Sequence, residues 1–247
     1  MASSYRETVC IDSRDVDGRG NCKASALMGH LQEAATQAAE VGGFTRNILL
    51  EKYSAFWMLT RIRFHLDRPL KWGEELTIHT WHRGGRSAIM YRDFDLYVGE
   101  EKVGEAVSAW VLADVKSRKL LRLSSIRELE GTDGGELKKS LQLKKLPCPE
   151  ELTETERRPM HYSDTDINGH VNNTRYADFA CDALRLDRLP EDVFLSGMQI
   201  GYMAECRPGE TIRMEAGDLE KGKYVHGLDE TGKARFEAAL FFGKLVP

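Results

Sequence analysis

Cysteine is sparse in this chain and is nowhere spaced as a site: the five residues at 10, 22, 148, 181 and 206 include no Cys-x-x-Cys pair. An odd, scattered set supports neither a disulfide framework nor a zinc cluster, so reduced thiols and no bound metal are expected. No run approaches the roughly 18 apolar residues of a membrane span. The start, Met1-Ala2-Ser3-Ser4-Tyr5, lacks the apolar core of a secretory signal, and a soluble cytoplasmic protein is expected. A basic surplus is missing too, since 35 Lys and Arg stand against 39 Asp and Glu for a formal net charge of −4. That balance argues against a nucleic-acid partner. What the chain has is 247 residues, 41% of them hydrophobic, sufficient for one large domain or two of about 120.

A degenerate repeat favours two. Asp15-Val16-Asp17-Gly18-Arg19-Gly20 aligns with Asp164-Thr165-Asp166-Ile167-Asn168-Gly169 at an offset of 164 − 15 = 149, matching both aspartates and the second glycine. A helical pattern follows each copy: Leu27, Met28, Leu31, Ala34, Ala35 and Ala38 in the first, Tyr176, Phe179, Ala180, Ala183 and Leu184 in the second. Runs rich in β-branched and aromatic residues come next, at 56–66, 75–82, 87–98 and 103–114, then at 194–204, 210–219, 223–228 and 234–245. The pattern predicts an α+β protein of two β-α-β-β-β-β units, each a long helix wrapped by an antiparallel sheet. Residues 131–156, rich in Gly, Pro and charge, read as a connector between a first unit at 1–130 and a second at 157–247.

The second copy of the repeat carries the chemistry. Asp166, Asn168 and His170 alternate just before a helix, which in extended or turning backbone aims them to one side. The first copy has Arg19 and Asn21 in place of Asn168 and His170, so one active site per chain is expected, with the first unit shaping its pocket. Other readings of these segments fail. Asp164-x-Asp166-x-Asn168-Gly169 opens like a calcium loop, yet Arg175 stands where the bidentate Glu belongs. Gly217–Lys223 and Gly227–Lys233 have phosphate-loop spacing but end in Tyr224 and Ala234, and fit hairpin ends better. His79 and His82, three apart on a strand, face opposite sides and are poorly placed to share a metal.

The stretch Asp166-Ile167-Asn168-Gly169-His170-Val171-Asn172-Asn173-Thr174-Arg175-Tyr176 resembles the acyl-ACP thioesterases, double-hotdog enzymes that end fatty-acid synthesis by hydrolysing the acyl thioester. Further matches follow in family order: Trp57–Arg61, Arg68–Glu74, Thr80-Trp81, Arg92-Asp93-Phe94, Ser108–Val111 and Tyr202–Cys206. The resemblance covers about residues 5 to 245 and implies a tandem hotdog fold, no cofactor, and acyl carrier protein as the partner that delivers substrate. Plant members carry a transit peptide, so a chain without one implies a bacterial enzyme or a mature form. A fused pair of hotdog units supplies internally what single-unit relatives gain by dimerising, leaving monomer or homodimer open.

Thioester hydrolysis needs an activated water, donors for the oxyanion and a proton for the departing thiol. An imidazole is intrinsically able to give or take a proton near neutral pH, which suits His170 to the proton transfers. Asn168 can orient water or carbonyl, Asp166 can fix its neighbours, and amides near Val171 and Asn172 at the helix start can meet the oxyanion. By resemblance Glu205, on a later strand, polarises the water. Cys206 offers an acyl-cysteine alternative, but adjacent strand residues point opposite ways, which favours Glu205. Met28, Leu31 and Trp57 are candidates for the acyl lining. The acidic carrier should meet Lys116, Arg118, Lys119 and Arg122, or Lys138, Lys139, Lys144 and Lys145. An acyl-CoA thioesterase and a noncatalytic acyl-binding hotdog protein are the alternatives.

Overall fold

The computed structural model describes residues 4–126 and 141–245. Strand β1 (Ser4–Cys10) leads to helix α1 (Ala24–Val41), a short helix α2 (Arg46–Tyr53), and strands β2 (Ala55–Leu66), β3 (Glu75–Arg86), β4 (Ile89–Val98) and β5 (Glu101–Asp114). A two-residue strand, β6 (Leu120–Leu121), folds back on β5. The second half repeats the order with β7 (Thr153–Pro159), helix α3 (Arg175–Ala183), β8 (Val193–Tyr202), β9 (Thr211–Leu219), β10 (Gly222–Leu228) and β11 (Ala234–Lys244).

The sequence suggests two separate sheets; the halves instead share one. Its order is β1-β3-β4-β5-β2-β8-β11-β10-β9-β7, so each half runs outward from a central antiparallel pairing of β2 with β8. Each of these strands would otherwise be an edge with unpaired backbone groups, and pairing them satisfies both. Gly197 on β8 makes the approach possible: a Cβ there would lie 2.9 Å from the Phe64 carbonyl oxygen.

Helix α1 lays Leu27, Met28, Leu31, Ala34 and Ala35 against the sheet, and its small residues let the strands close around it. The second half does not hold the long helix its pattern suggests. Helix α3 ends after nine residues at Ala183; Arg185 adopts a left-handed conformation (φ 54°), a single 3-10 turn follows, and Pro190 comes next. Its apolar face, Tyr176, Phe179 and Ala180, still meets α1's in one core that spans both halves and includes Phe64, Phe94 and Phe236. Each large side chain buried there contributes about 1.5–3 kcal/mol. Helix α2, which the sequence pattern does not reveal, covers a second apolar cluster of Leu49, Ala55, Met90, Leu112 and Ile126.

The connector is not a free linker where it is described. Residues 141–152 run across the outer face of the sheet, where Arg63 donates to the Gln142 carbonyl (3.1 Å) and Gln199 to that of Lys144 (2.6 Å). Leu146 packs on Tyr224 and Ala239. That outer face carries buried polar side chains, among them Gln199 and Glu237, which need both cover and partners. The expected boundary at residue 130 lies outside the described residues. Among the described residues no helix is long and apolar enough to cross a membrane.

Candidate active site

The 149-residue repeat is a repeat of hydrogen bonds. Asp17 N–H donates to the Asn21 carbonyl (2.8 Å) as Asp166 N–H does to that of His170 (2.9 Å), and Gly20 and Gly169 each donate 3.0 Å back to their aspartate carbonyl. Both glycines are left-handed, at φ 71° and 72°. Asp17 and Asp166 each accept the amide two residues on at 2.8 Å, forming Asx turns. The motif is therefore a tight turn and not an extended run, so alternation does not aim its side chains together. Asn168 is exposed, and among the described residues its side-chain amide reaches only Asp166 (3.4 Å).

A second repeat, at an offset of 206 − 70 = 136, escaped the sequence analysis. Lys71 N–H bonds the Glu74 carboxylate (2.7 Å) as Arg207 N–H bonds that of Glu210 (2.9 Å), and Gly73 and Gly209 are both left-handed. The shared signal is a basic residue, any residue, then Gly-Glu. The two repeated loops meet in each half: Cys22 N–H donates to the Leu70 carbonyl (2.8 Å), Val171 N–H to that of Cys206 (2.9 Å). In the first half the positions of interest are Asn21 and Pro69; in the second they are His170 and Glu205. The chain thus builds one scaffold twice and puts an imidazole and a carboxylate on it once.

Glu205 lies in the loop between β8 and β9 and not on a strand, since β8 ends at Tyr202 and β9 begins at Thr211. His170 Nε2 stands 3.2 Å from Glu205 Oε2, with the His170 side chain 13% and that of Glu205 43% exposed. Two guanidiniums hold the acid. Arg235 donates to the Glu205 carbonyl (2.5 Å), and Arg118, from the turn between β5 and β6, lies 3.6 Å from Glu205 Oε1 and over the ring of Phe56. The first half therefore reaches the site through Arg118. The amides expected for the oxyanion are already committed, Val171 to Cys206 and Asn172 to the Asp164 carbonyl (2.8 Å). Asn173 N–H, one residue on, has no hydrogen-bond acceptor among the described residues.

Residues 2–127 match the model of the acyl-ACP thioesterase N-terminal domain, and residues 149–242 that of the C-terminal domain. The chain belongs to the acyl-ACP thioesterase family. Among family relatives it is 27% identical over 223 residues to the chloroplastic dodecanoyl-acyl-carrier-protein hydrolase of Cinnamomum camphora, covering 82% of this chain and 56% of the relative. With the chloroplastic palmitoyl-acyl carrier protein thioesterase of Gossypium hirsutum it shares 28% over 217 residues, 82% of this chain and 52% of the relative. The chain thus spans about half the length of the curated relatives it matches. Its fold matches an acyl-ACP thioesterase from Bacteroides thetaiotaomicron with a TM-score of 0.86 at 22% identity, over 98% of each chain. It matches the 12:0-ACP thioesterase of Umbellularia californica with a TM-score of 0.81 at 20% identity, over 99% of this chain and 98% of that one. These structures establish the double hotdog here.

Within that family fold the remaining candidates separate. Cys206 is fully buried beneath the site, and burial pushes its thiol pKa up, with the hydroxyl of Tyr176 as hydrogen-bond partner. A protonated, enclosed thiol is a poor nucleophile. Met28 and Leu31 are solid parts of the main core, whereas Trp57 packs against the second cluster, near the Phe56–Arg118 side of the site. A surface hollow of about 450 Å³ lined by Phe44, Ile48 and Tyr53 contains none of the four site residues. Of the two basic groups, the one at 116–122 adjoins Glu205 through Arg118. In the other, Lys138 and Lys139 lie outside the described residues and the Lys144 carbonyl is bonded on the sheet's outer face.

Proposed function

We propose that this chain hydrolyses fatty acyl-ACP thioesters to free fatty acid and holo-ACP. The observation that carries the reading is the His170–Glu205 contact of 3.2 Å, on a scaffold whose twin has neither side chain. Glu205 takes a proton from water as the water oxygen bonds the thioester carbon. Glu205 passes that proton to His170 Nε2, and the protonated ring gives it to the sulfur as the carbon–sulfur bond breaks, restoring both groups. Asn173 N–H is the donor offered to the oxyanion, and Asp166 and Asn168 hold the turn that presents His170. The acyl chain enters the first half past Trp57. Lys116, Arg118, Lys119 and Arg122 form a basic rim suited to an acidic carrier.

The test is thiol release from one acyl group on acyl carrier protein and on coenzyme A. Faster turnover on the carrier protein supports the reading, and preference for coenzyme A turns it into an acyl-CoA thioesterase. No thiol release from either would leave an acyl-binding protein and end the hydrolase proposal.

A further inference from the structure

The loop that presents Glu205 is stapled by one residue of the neighbouring strand. Arg235 stands near the start of β11, one residue ahead of Phe236, whose pairing with Tyr202 ends the β8–β11 ladder. Its carbonyl accepts the amides of Met203 (2.9 Å) and Ala204 (3.1 Å), and its Nη1 donates to the carbonyl of Glu205 (2.5 Å), so three consecutive residues hang on one. The guanidinium is held from behind: Nε donates to Asp229 (3.1 Å) and Nη2 lies 3.6 Å from Glu210. Asp229 is itself fixed by the Thr231 hydroxyl and by the amides of Thr231 and Lys233. The next carbonyl along, that of Cys206, accepts Val171 N–H beside His170. One carbonyl is thus anchored to β11 and its neighbour to the His170 loop, and the two anchors together set how far Glu205 stands from the ring.

The first half has the same staple, made from a different place. Pro69 and Leu70 stand where Glu205 and Cys206 do, at the offset of 205 − 69 = 136. The Pro69 carbonyl also accepts from a guanidinium (3.2 Å), which bonds Glu74 (2.9 Å), the counterpart of Glu210, and Glu101 (3.1 Å). That guanidinium belongs to Arg68, the residue next door, and the counterpart of Arg68 is Ala204. An arginine at 204 would set a further cation beside Glu205, in competition with His170 for the carboxylate. Arg235, tied to Asp229 and Glu210, reaches the backbone from β11 and leaves the carboxylate to the ring. We infer that Arg235 is the positioning residue for Glu205: its grip on the Glu205 carbonyl keeps the carboxylate within reach of His170. The inference rests on the acyl-ACP hydrolysis proposed above.

The experiment measures kcat and KM for acyl-ACP hydrolysis by the full chain and by Arg235→Met, which keeps an apolar stem and loses every side-chain donor, with Arg235→Lys and Arg68→Met beside it. Arg235→Met should lower kcat by about 10- to 100-fold, the loss that a misplacement of about 1 Å brings, with KM within about twofold of wild type. Arg235→Lys still offers an N–H and should recover most of that loss. Arg68→Met removes the twin staple and should lower the melting temperature by a few degrees while kcat stays at the wild-type value. The deciding readout is the background: in Glu205→Gln, Arg235→Met should cost no further turnover, whereas general damage to the fold would cost the same with and without Glu205. Should Arg235→Met not fold, Asp229→Asn carries the test, because it loosens the guanidinium from behind; it should lower kcat in the wild-type background and not in Glu205→Gln. Wild-type kcat in folded Arg235→Met, equal losses in the two backgrounds, or the same loss of kcat in Arg68→Met would overturn the inference. A wild-type chain inactive on all acyl-ACPs would instead overturn the reading beneath it.

Discussion

His170 Nε2 lies 3.2 Å from Glu205 Oε2 although one residue opens toward α3 and the other follows β8. If the two share one proton path, each alone is needed for it. His170→Ala and Glu205→Gln should each lower kcat by about 10²–10⁴-fold, and the double variant should be little worse than either single one. Thiol-release kinetics with circular dichroism as a fold control check this; additive losses would mean that they act separately.

Arg118 contributes differently. Its contact with Glu205 is long and both side chains are well exposed, so the pair is worth about 0–1 kcal/mol. Arg118→Ala should lower kcat/KM by only about fivefold or less, mainly through KM. Added salt should shrink the difference from wild type, since exposed charges are screened. A salt-independent loss in kcat would assign Arg118 to the chemistry and not to the rim.

Cys206 gives a cleaner contrast. The thiol is enclosed under Tyr176 with its pKa raised, and its backbone carbonyl anchors Val171. Cys206→Ala keeps that carbonyl, so kcat should stay within a few-fold of wild type while the melting temperature falls by a few degrees for a loss of about 1 kcal/mol. Abolished turnover in a folded variant would restore the acyl-cysteine route.

Much of this was legible in the residues, for physical reasons that differ from element to element. The β-branched runs and the apolar stripe of α1 carry their own period, so both strands and helix stand out. The turn at Asp166–Gly169 announces itself because a left-handed residue calls for glycine. What stayed hidden depends on distant parts. Helix α2 has mostly exposed residues and buries only Leu49, so it shows no stripe. The central β2–β8 pairing joins halves far apart in the chain, and no local pattern marks it. Glu205 looked like a strand residue because Tyr202 ends β8 just ahead of it, and the Gly-Glu signature that marks its turn is visible only beside Lys71–Glu74. The alternation of Asp166, Asn168 and His170 misled because a tight turn has no period of two.

The twin loops allow one substitution to be read against another. Gly20 and Gly169 share a φ near 70°, and a Cβ at either would meet no atom within 4 Å, so alanine brings backbone strain alone. Gly20→Ala and Gly169→Ala should each cost about 1–2 kcal/mol of stability. Only Gly169→Ala should also lower kcat, because only its loop carries His170. Equal effects on turnover would show that the first copy has a part in the reaction.

His82 makes the protein sensitive to acid in a range that can be stated. Its folded pKa, about 3, is below the ordinary 6.5, because burial and then the Arg92 charge disfavour the imidazolium. The unfolded chain therefore binds the extra proton first. The stability this group contributes is whole above pH 6.5 and is lost as pH falls toward 3, by up to about 1.4 kcal/mol per unit. Chemical denaturation at a series of pH values should show that slope in wild type, and His82→Gln should flatten it while keeping an acceptor for Arg92. An unchanged slope in His82→Gln would assign the acid loss to the carboxylates and leave His82 without the buried neutral role that its contact with Arg92 implies.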